Sequence, residues 1–373
     1  MRILEIVFKD PRESPGGVES MSTSLTEGLN MRGVETITIF QIYRKQLRSY
    51  IIADQLVGLG TPLPDKNILL PLNKLLFNIL LMFYVRRHAK EFDWIHINGD
   101  AGPLLSTRSE FKTLLTLHGS SLLTYRKTRN LYGIVKRVSL FLTSVLSYLL
   151  ERHAIRHSTK VVCVSRQVME AFSVDLEPER TQLIYNGVDV TRYLPAKDKN
   201  KIRASISLDT DSPIAIWVGR NPLRKGLGTA VKAVECAAAF KLIVAGSNIL
   251  GSDLTERILP FGKVDNEKLI GLYQASDVFL FPSLYEGFSI AVLEAMACGL
   301  VPVIYSSNSS SEILEDSTDS FVLDDEDEFR SILTYLEDHR EKLEELGKMA
   351  QKKAVQFSSE NMCDLYFSLL SSQ

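Results

Sequence analysis

Two carboxylates eight positions apart, Glu286 and Glu294, are the first chemistry the sequence offers. They lie in Asp277–Ile304, DVFLFPSLYEGFSIAVLEAMACGLVPVI. Asp277–Phe281 is a short apolar run closed by Pro282 and Ser283, the pattern of a strand buried on both faces. Ile290–Cys298 carries Val292, Leu293, Met296 and Ala297 at helical spacing and stops at Gly299, and Val301–Ile304 reads as the next buried strand. Glu286 therefore falls in a turn and Glu294 inside a helix. Gly287–Leu293 contains no acid, so the helix start at Gly287, Phe288, Ser289 and Ile290 offers N–H groups and partial positive charge to a phosphate. Taken alone, the pair reads more simply as a loop charge and a solvated helix residue.

A second strand end carries cations. Arg220 and Lys225 follow the run Ile214–Val218, flanked by Gly219 and Gly226, just before a helix. A planar guanidinium fork and a compact ammonium suit a diphosphate, whereas Arg224 between them reads as a solvated basic turn residue. Gly16-Gly17 follows the first strand, where paired glycines serve either close backbone approach to a ligand or a plain tight turn. His118 ends the run Thr113–Leu117 and precedes Gly119; a lone histidine there is more often structural than functional.

These residues need a scaffold of strand ends. A chain of 373 residues suits two domains. Strand-like runs alternate with helical segments, the pattern of parallel sheets with crossover helices. The first half has Ile3–Phe8, Glu35–Phe40, Trp94–Asn98, Thr113–Leu117, Lys160–Val164 and Gln182–Tyr185. The second has Ile214–Val218, Phe240–Ala245, Ile258–Phe261, Asp277–Phe281, Val301–Ile304 and Ser320–Leu323. The expected class is α/β with two Rossmann-like domains: 1–187 with a returning C-terminal helix at 357–373, and 188–356. Asn186–Lys201 is the expected linker.

Four segments in chain order carry a family resemblance: PGGVE at Pro15–Glu19, YNGVD at Tyr185–Asp189, VGRNPLRKG at Val218–Gly226, and Glu286-Gly287-Phe288 with Glu294 to Gly299. The last resembles the E-x7-E signature of the retaining family-4 glycosyltransferases, which have the GT-B fold, and the likeness covers nearly the whole chain. It implies two domains facing each other across a cleft and transfer of a sugar from a nucleoside-diphosphate sugar to an acceptor hydroxyl, with retained anomeric configuration. It also implies roles. Arg220 and Lys225 hold the diphosphate, Glu294 the ribose, Glu286 the sugar ring, and His118 lies beside the donor sugar. Val264, in the loop Phe261–Asp265, reaches the base, and Gly16 and Gly17 form the loop facing donor and acceptor. No cofactor and no metal are implied, the leaving charge being met by the cations and the helix N-terminus. The chain departs from the family at Asn308-Ser309-Ser310-Ser311-Glu312, where a Gly-Gly turn is usual, and at Gly287-Phe288-Ser289, where a second glycine is common; both bear on donor-sugar choice. Rival readings are a sugar-nucleotide epimerase or hydrolase, and a non-catalytic partner subunit of the same fold.

The formal net charge is −2, but Phe111–Lys160 has nine cations and one acid, Glu151, for a local +8 that leaves −10 elsewhere. Within it lies the apolar Val138–Leu150. Two readings stand: a core helix whose ends the cations solvate, or a surface helix for an anionic membrane, with a lipid-linked or membrane-associated acceptor. Nucleic acid is not expected, since stacking aromatics are not interleaved with the cations. Four dispersed cysteines (Cys163, Cys236, Cys298, Cys363) without a C-x-x-C, no signal peptide at Met1–Phe8, and no apolar run of about 18 residues suggest a cytoplasmic protein, peripheral at most on the membrane face.

Overall fold

The computed structural model describes residues 1–12, 16–43, 48–61, 70–99, 101–107, 111–208, 211–247 and 255–372. Pro15 of the PGGVE segment and Gln373 lie outside them. The chain forms two compact units, Met1–Asn186 with Ser359–Gln373, and Gly187–Ser358.

In chain order the first unit has β1 (Arg2–Ile6), α1 (Gly17–Met31), β2 (Glu35–Tyr43), β3 (Ser49–Ala53), β4 (Leu56–Thr61), α2 (Leu70–His88), β5 (Trp94–Asn98), β6 (Lys112–Leu117), α3 (Ser121–Thr128), α4 (Ile134–His157), β7 (Lys160–Cys163), α5 (Arg166–Ala171) and β8 (Thr181–Leu183). The second has α6 (Lys199–Ser205), β9 (Ile214–Val218), α7 (Leu227–Cys236), β10 (Lys241–Ala245), β11 (Ile258–Gly262), α8 (Asn266–Ala275), β12 (Val278–Phe281), α9 (Ile290–Ala297), β13 (Val301–Tyr305), β14 (Phe321–Leu323), α10 (Glu326–Asp338) and α11 (Glu341–Gln356). Helix α12 (Ser359–Ser371) returns to the first unit.

The first sheet runs β3-β4-β2-β1-β5-β6-β7-β8 and is parallel apart from β3, which lies antiparallel on β4. The hairpin β3–β4 has no counterpart among the strands expected from the sequence. Its outer strand alternates exposed and half-buried residues, and its inner strand is interrupted by Gly58 and Gly60, so neither shows the continuous apolar run of a buried strand. The second sheet, β11-β10-β9-β12-β13-β14, is parallel throughout and has the doubly wound order, with a reversal between β9 and β12. Its strands are apolar because helices cover both faces; Trp217, Phe240, Leu280, Phe329 and Leu336 are fully buried. The expected linker is shorter than its sequence suggests, since α6 begins at Lys199, its start fixed by Asp198 accepting from the Lys201 N–H.

Right-handed crossovers set the faces of the first unit. Chain movement from β1 to β2 opposes that from β4 to β5 and β6 to β7, so α1 lies on one face and α2 with α4 on the other. Helix α12 packs on α1, tied by Arg32 to Asp364 at 2.6 Å and by Trp94 Nε1–H donating to the Leu370 carbonyl at 3.1 Å. Contact is tightest at Gly28, where a Cβ would sit 2.2 Å from Cys363 Sγ.

That distance decides a sign. Alanine favours a helix over glycine by about 1 kcal/mol, while overpacking costs about 1–3 kcal/mol. With Cys363 Cβ also at 3.0 Å, overpacking wins: Gly28→Ala should lower stability in chemical denaturation. Cys363→Ala in the same chain should recover most of the loss, and equal effects of Gly28→Ala with and without Cys363 would contradict the packing argument.

Candidate functional site

Where strand order reverses, the loops after β9 and β12 leave toward opposite faces and open the carboxyl edge of the sheet. Four links join these loops. Leu284 N–H donates to the Arg224 carbonyl at 3.0 Å. The Arg224 guanidinium donates to the Tyr285 carbonyl at 2.6 Å and to Glu286 Oε1 at 3.0 Å. Lys225 Nζ lies 3.6 Å from the same carboxylate oxygen. Gly226 starts α7 at φ +69°, and a Cβ there would stand 2.0 Å from the Pro282 carbonyl oxygen, so only glycine lets the strands' ends come this close.

The core reaches directly into this edge. Buried Trp217 uses its single polar atom, Nε1, to donate to the Lys225 carbonyl at 2.9 Å. Lys225 Nζ in turn lies over the Phe281 ring at 4.8 Å. A cation held over an aromatic face, with a carboxylate nearby, is a compact positive centre with little freedom to move.

Glu286 is clamped by hydroxyls as well. Ser283 Oγ donates to its Oε1 at 3.2 Å, and Ser309 Oγ donates to its carbonyl at 2.6 Å. Ser310 Oγ accepts from the Ser289 N–H at 2.9 Å, and Asn308 Oδ1 accepts from the Ser310 N–H, ordering the short 3-10 turn Ser309–Ile313. The serines that depart from the family's Gly-Gly turn thus bind the backbone around Glu286. Helix α9 begins at Ser289 with no side chain capping its first turn and no acid in it. Ile290 stands there partly exposed, and Gly287 and Phe288 are buried beneath.

Glu294, one helical stretch further, is mostly enclosed. Tyr273 hydroxyl donates to its Oε2 at 3.1 Å, and the Tyr193 hydroxyl bonds it too. Burial raises the proton affinity of this carboxyl; the two phenols, Lys225 and Arg192 pull it the other way without cancelling the effect. Val264 is partly buried in the loop after β11, one residue before the α8 cap Asp265. Arg220 is exposed just past β9.

The structure therefore brings Lys225, Glu286 and the start of α9 together in the second unit, with Glu294 within the electrostatic reach of Lys225. Arg224 corrects the sequence reading. It is not a solvated turn residue but donates to Glu286 Oε1 at 3.0 Å, closer than Lys225 at 3.6 Å. Ser283, Ser309, Ser310, Tyr193 and Tyr273 also escaped that reading; only the Asn-Ser-Ser-Ser run hinted at hydroxyls built into a turn. In the first unit, Gly16 caps α1, and its N–H donates to Glu19 Oε2 at 3.0 Å. A Cβ on Gly17 would meet nothing within 4 Å. His118 sits past β6 with Nε2 2.9 Å from Asn98 Oδ1, and burial lowers its pKa to about 3, helped by nearby His96. Cys163, Cys298 and Cys363 are buried free thiols, pushed up to about 12, 12 and 11, which suppresses thiolate chemistry; Cys236 is exposed.

Two such α/β units, the second doubly wound with cations at its reversal, define the GT-B class. Sequence models agree: Glycosyltransferase Family 4 matches residues 15–192, and Glycosyl transferases group 1 matches 198–353. The chain belongs to the GT-B glycosyltransferases. It is 28% identical over 214 residues to the UDP-Gal:alpha-D-GlcNAc-diphosphoundecaprenol alpha-1,3-galactosyltransferase of Escherichia coli, covering 51% of this chain and 54% of that protein. The chain spans about half the length of the curated relatives it matches. In fold it is similar to sucrose-phosphate synthase of Thermosynechococcus elongatus (TM-score 0.81, 22% identity) and to Anabaena HepE in complex with UDP-glucose (TM-score 0.74, 18% identity), each over the full length of both chains.

Glu294 offers a pH test. A carboxyl whose folded pKa is raised costs stability as pH rises from its ordinary value, about 4.5, through the folded value. Glu294→Gln removes that cost, so the stability of the variant relative to wild type should grow with pH over this window and level off above it. Each unit of upward shift is worth about 1.4 kcal/mol. A difference independent of pH between 4 and 8 in urea denaturation would refute the assignment.

Proposed function

We propose that this chain transfers a glycosyl group from a nucleoside-diphosphate sugar to an acceptor hydroxyl, with retention of anomeric configuration and without a metal. The observation that carries this reading is the positive edge at the β9–β12 reversal, where Lys225, Arg224 and the uncapped start of α9 surround Glu286. A departing diphosphate develops charge on its oxygens. Lys225, Arg220 and the first N–H groups of α9 stabilise that charge, because donors already fixed in place need no reorganisation as the bond breaks. With the leaving group held on one face, the acceptor hydroxyl attacks that same face and the configuration is kept. In this scheme Glu286 orients the sugar ring, and Arg224 holds its carboxylate in place. Glu294 receives the ribose, Val264 borders the base, and Gly16, Gly17 and His118 serve the sugar and acceptor. The solved complex of HepE with UDP-glucose and the diphosphoundecaprenol acceptor named for the Escherichia coli relative support this substrate class.

The acceptor we propose is lipid-linked, reached with the first unit on an anionic bilayer. Helix α4 is not a core helix along its length. Val135, Val138, Leu142, Leu146 and Leu149 form one exposed row, with Val135 82% and Leu142 62% exposed. Leu75, Ile79 and Phe83 form a second row on α2, on the same face of the sheet, and both helices pack against the turn Pro103–Thr107. Arg126, Lys127, Arg129, Lys136, Arg137, Arg86 and Arg87 accompany these rows. Glu151, the acid of the basic stretch, is buried and accepts from Ser121 Oγ at 2.6 Å, so it does not offset them at the surface. Cations beside exposed apolar side chains fit anionic headgroups at about 1 kcal/mol per charge. Among the described residues no helix is long and apolar enough to cross a membrane.

Lys225→Ala and Glu286→Ala should each reduce turnover about a hundredfold or more with unchanged circular dichroism, and NMR of the product should show the donor's anomeric configuration. Turnover near wild type in both variants, or an inverted product, would defeat the reading; free sugar or epimer without acceptor would favour a hydrolase or epimerase. For the surface, the full chain should float with vesicles containing phosphatidylglycerol and not with phosphatidylcholine alone, and L142E/L146E should abolish flotation. Equal behaviour on both vesicles would remove the membrane from the proposal.

A further inference from the structure

The first unit encloses a line of polar side chains to which the proposed function assigns no role except at its last member. Glu5 on β1 is 1% exposed, yet its carboxylate accepts three hydrogen bonds: from Ser22 Oγ at 2.7 Å, from Asn98 Nδ2 at 2.7 Å and from His96 Nδ1–H at 2.5 Å. Behind it, His96 Nε2 lies 2.7 Å from Thr116 Oγ1, which lies 3.0 Å from the Tyr366 hydroxyl on α12. Strand register makes this possible, pairing Glu5 with His96 and Asn98 with Thr116. At the front, Asn98 Oδ1 meets His118 Nε2 at 2.9 Å.

Donor and acceptor bookkeeping fixes one proton. Asn98 Nδ2 donates to the Glu5 carboxylate and, at 3.1 Å, to the Ile6 carbonyl. Both are acceptors only, so turning the amide over would set its oxygen against a buried carboxylate and a carbonyl. Oδ1 therefore faces His118, and since an amide oxygen can only accept, Nε2 carries the hydrogen. The depressed pKa keeps the ring neutral at ordinary pH, so it holds one N–H. That leaves Nδ1 as an acceptor, with no partner among the described residues.

We infer that Glu5 and Asn98 are positioning residues that hold His118 in the Nε2–H tautomer and present Nδ1 as a fixed acceptor for a hydroxyl of the carbohydrate substrate. The identity of that hydroxyl rests on the proposed glycosyl transfer; the tautomer does not. His96, Thr116 and Tyr366 stiffen the arrangement from behind, tying the carboxylate to the returning helix.

Long-range proton–nitrogen NMR of the full chain labelled with nitrogen-15 histidine tests the tautomer, with His118→Gln used for assignment. His118 should show a pyrrole-type Nε2 and a pyridine-type Nδ1, both unchanged from pH 8 to pH 5. The reverse tautomer, an averaged pair or protonation in that range would overturn the inference whatever the activity. Kinetics test the consequence, using the best donor from a panel of UDP-, GDP- and ADP-hexoses. Asn98→Ala should lower kcat/KM about tenfold in the wild-type chain and have little effect in a His118→Ala chain, because the two act as one unit. An equal loss in both backgrounds would show that Asn98 does not act through His118. If Asn98→Ala does not fold, Glu5→Gln serves instead and should average the two tautomers; a wild-type-like spectrum in Glu5→Gln would count against the carboxylate's role. Absence of transfer by the wild-type chain would end the functional reading of the preceding section, while the spectrum would still decide the tautomer.

Discussion

The site depends on one constraint: charges brought to the edge of an apolar sheet must find partners there. Strands β9 and β12 end side by side in a region with fully buried Trp217, Phe279 and Phe281. An unpaired carboxylate or ammonium at such an edge carries a desolvation penalty of several kcal/mol. Glu286 and the two cations settle that mutually, at 3.0 and 3.6 Å, while remaining 16–24% exposed. The result is charged groups held in place and still reachable, which is what stabilising a separating charge requires.

Backbone geometry makes this pairing possible. Gly226 lets the Pro282 carbonyl come within a distance no other residue permits, and the Trp217 indole holds the Lys225 carbonyl from below. Serines on a third segment, Ser309 and Ser310, tie down the carbonyl of Glu286 and the N–H of Ser289. Core packing, a left-handed glycine and two hydroxyls thus converge on one carboxylate. The first unit uses a similar economy in a different way. Its buried carboxylate, Glu5, gathers three donors from two neighbouring elements and leaves its proton pattern legible at His118.

Apolar surface follows the same logic of partners. The rows on α2 and α4 are left uncovered, whereas α1 on the opposite face is covered by α12. Helix crossover handedness put the two rows on one side of the sheet. Glu151, the acid of the basic stretch, is turned inward onto Ser121, so it does not offset the cations at the surface there.

Much of this was legible in the chain before folding. Runs such as Ile214–Val218 and Val301–Ile304 are apolar without alternation, which only strands covered on both faces can afford, so two successive α/β domains built on parallel strands could be read from them. Glu286, Arg220 and Lys225 could be placed just past strand ends, and Glu294 inside the helix that follows, because local spacing alone sets where a strand stops and a helix begins. What local spacing does not carry is which side chains meet across segments. Arg224 differs from Lys225 by one position and no composition rule distinguishes them, yet the crossing of two loops gave Arg224 the shorter bond to Glu286. The Tyr193 and Tyr273 contacts to Glu294 and the line from Tyr366 to His118 likewise join residues far apart in sequence. Periodicity reports the environment of one segment at a time; hydrogen bonds between segments exist only once the sheets have set their register, and that register was decided by the tertiary structure.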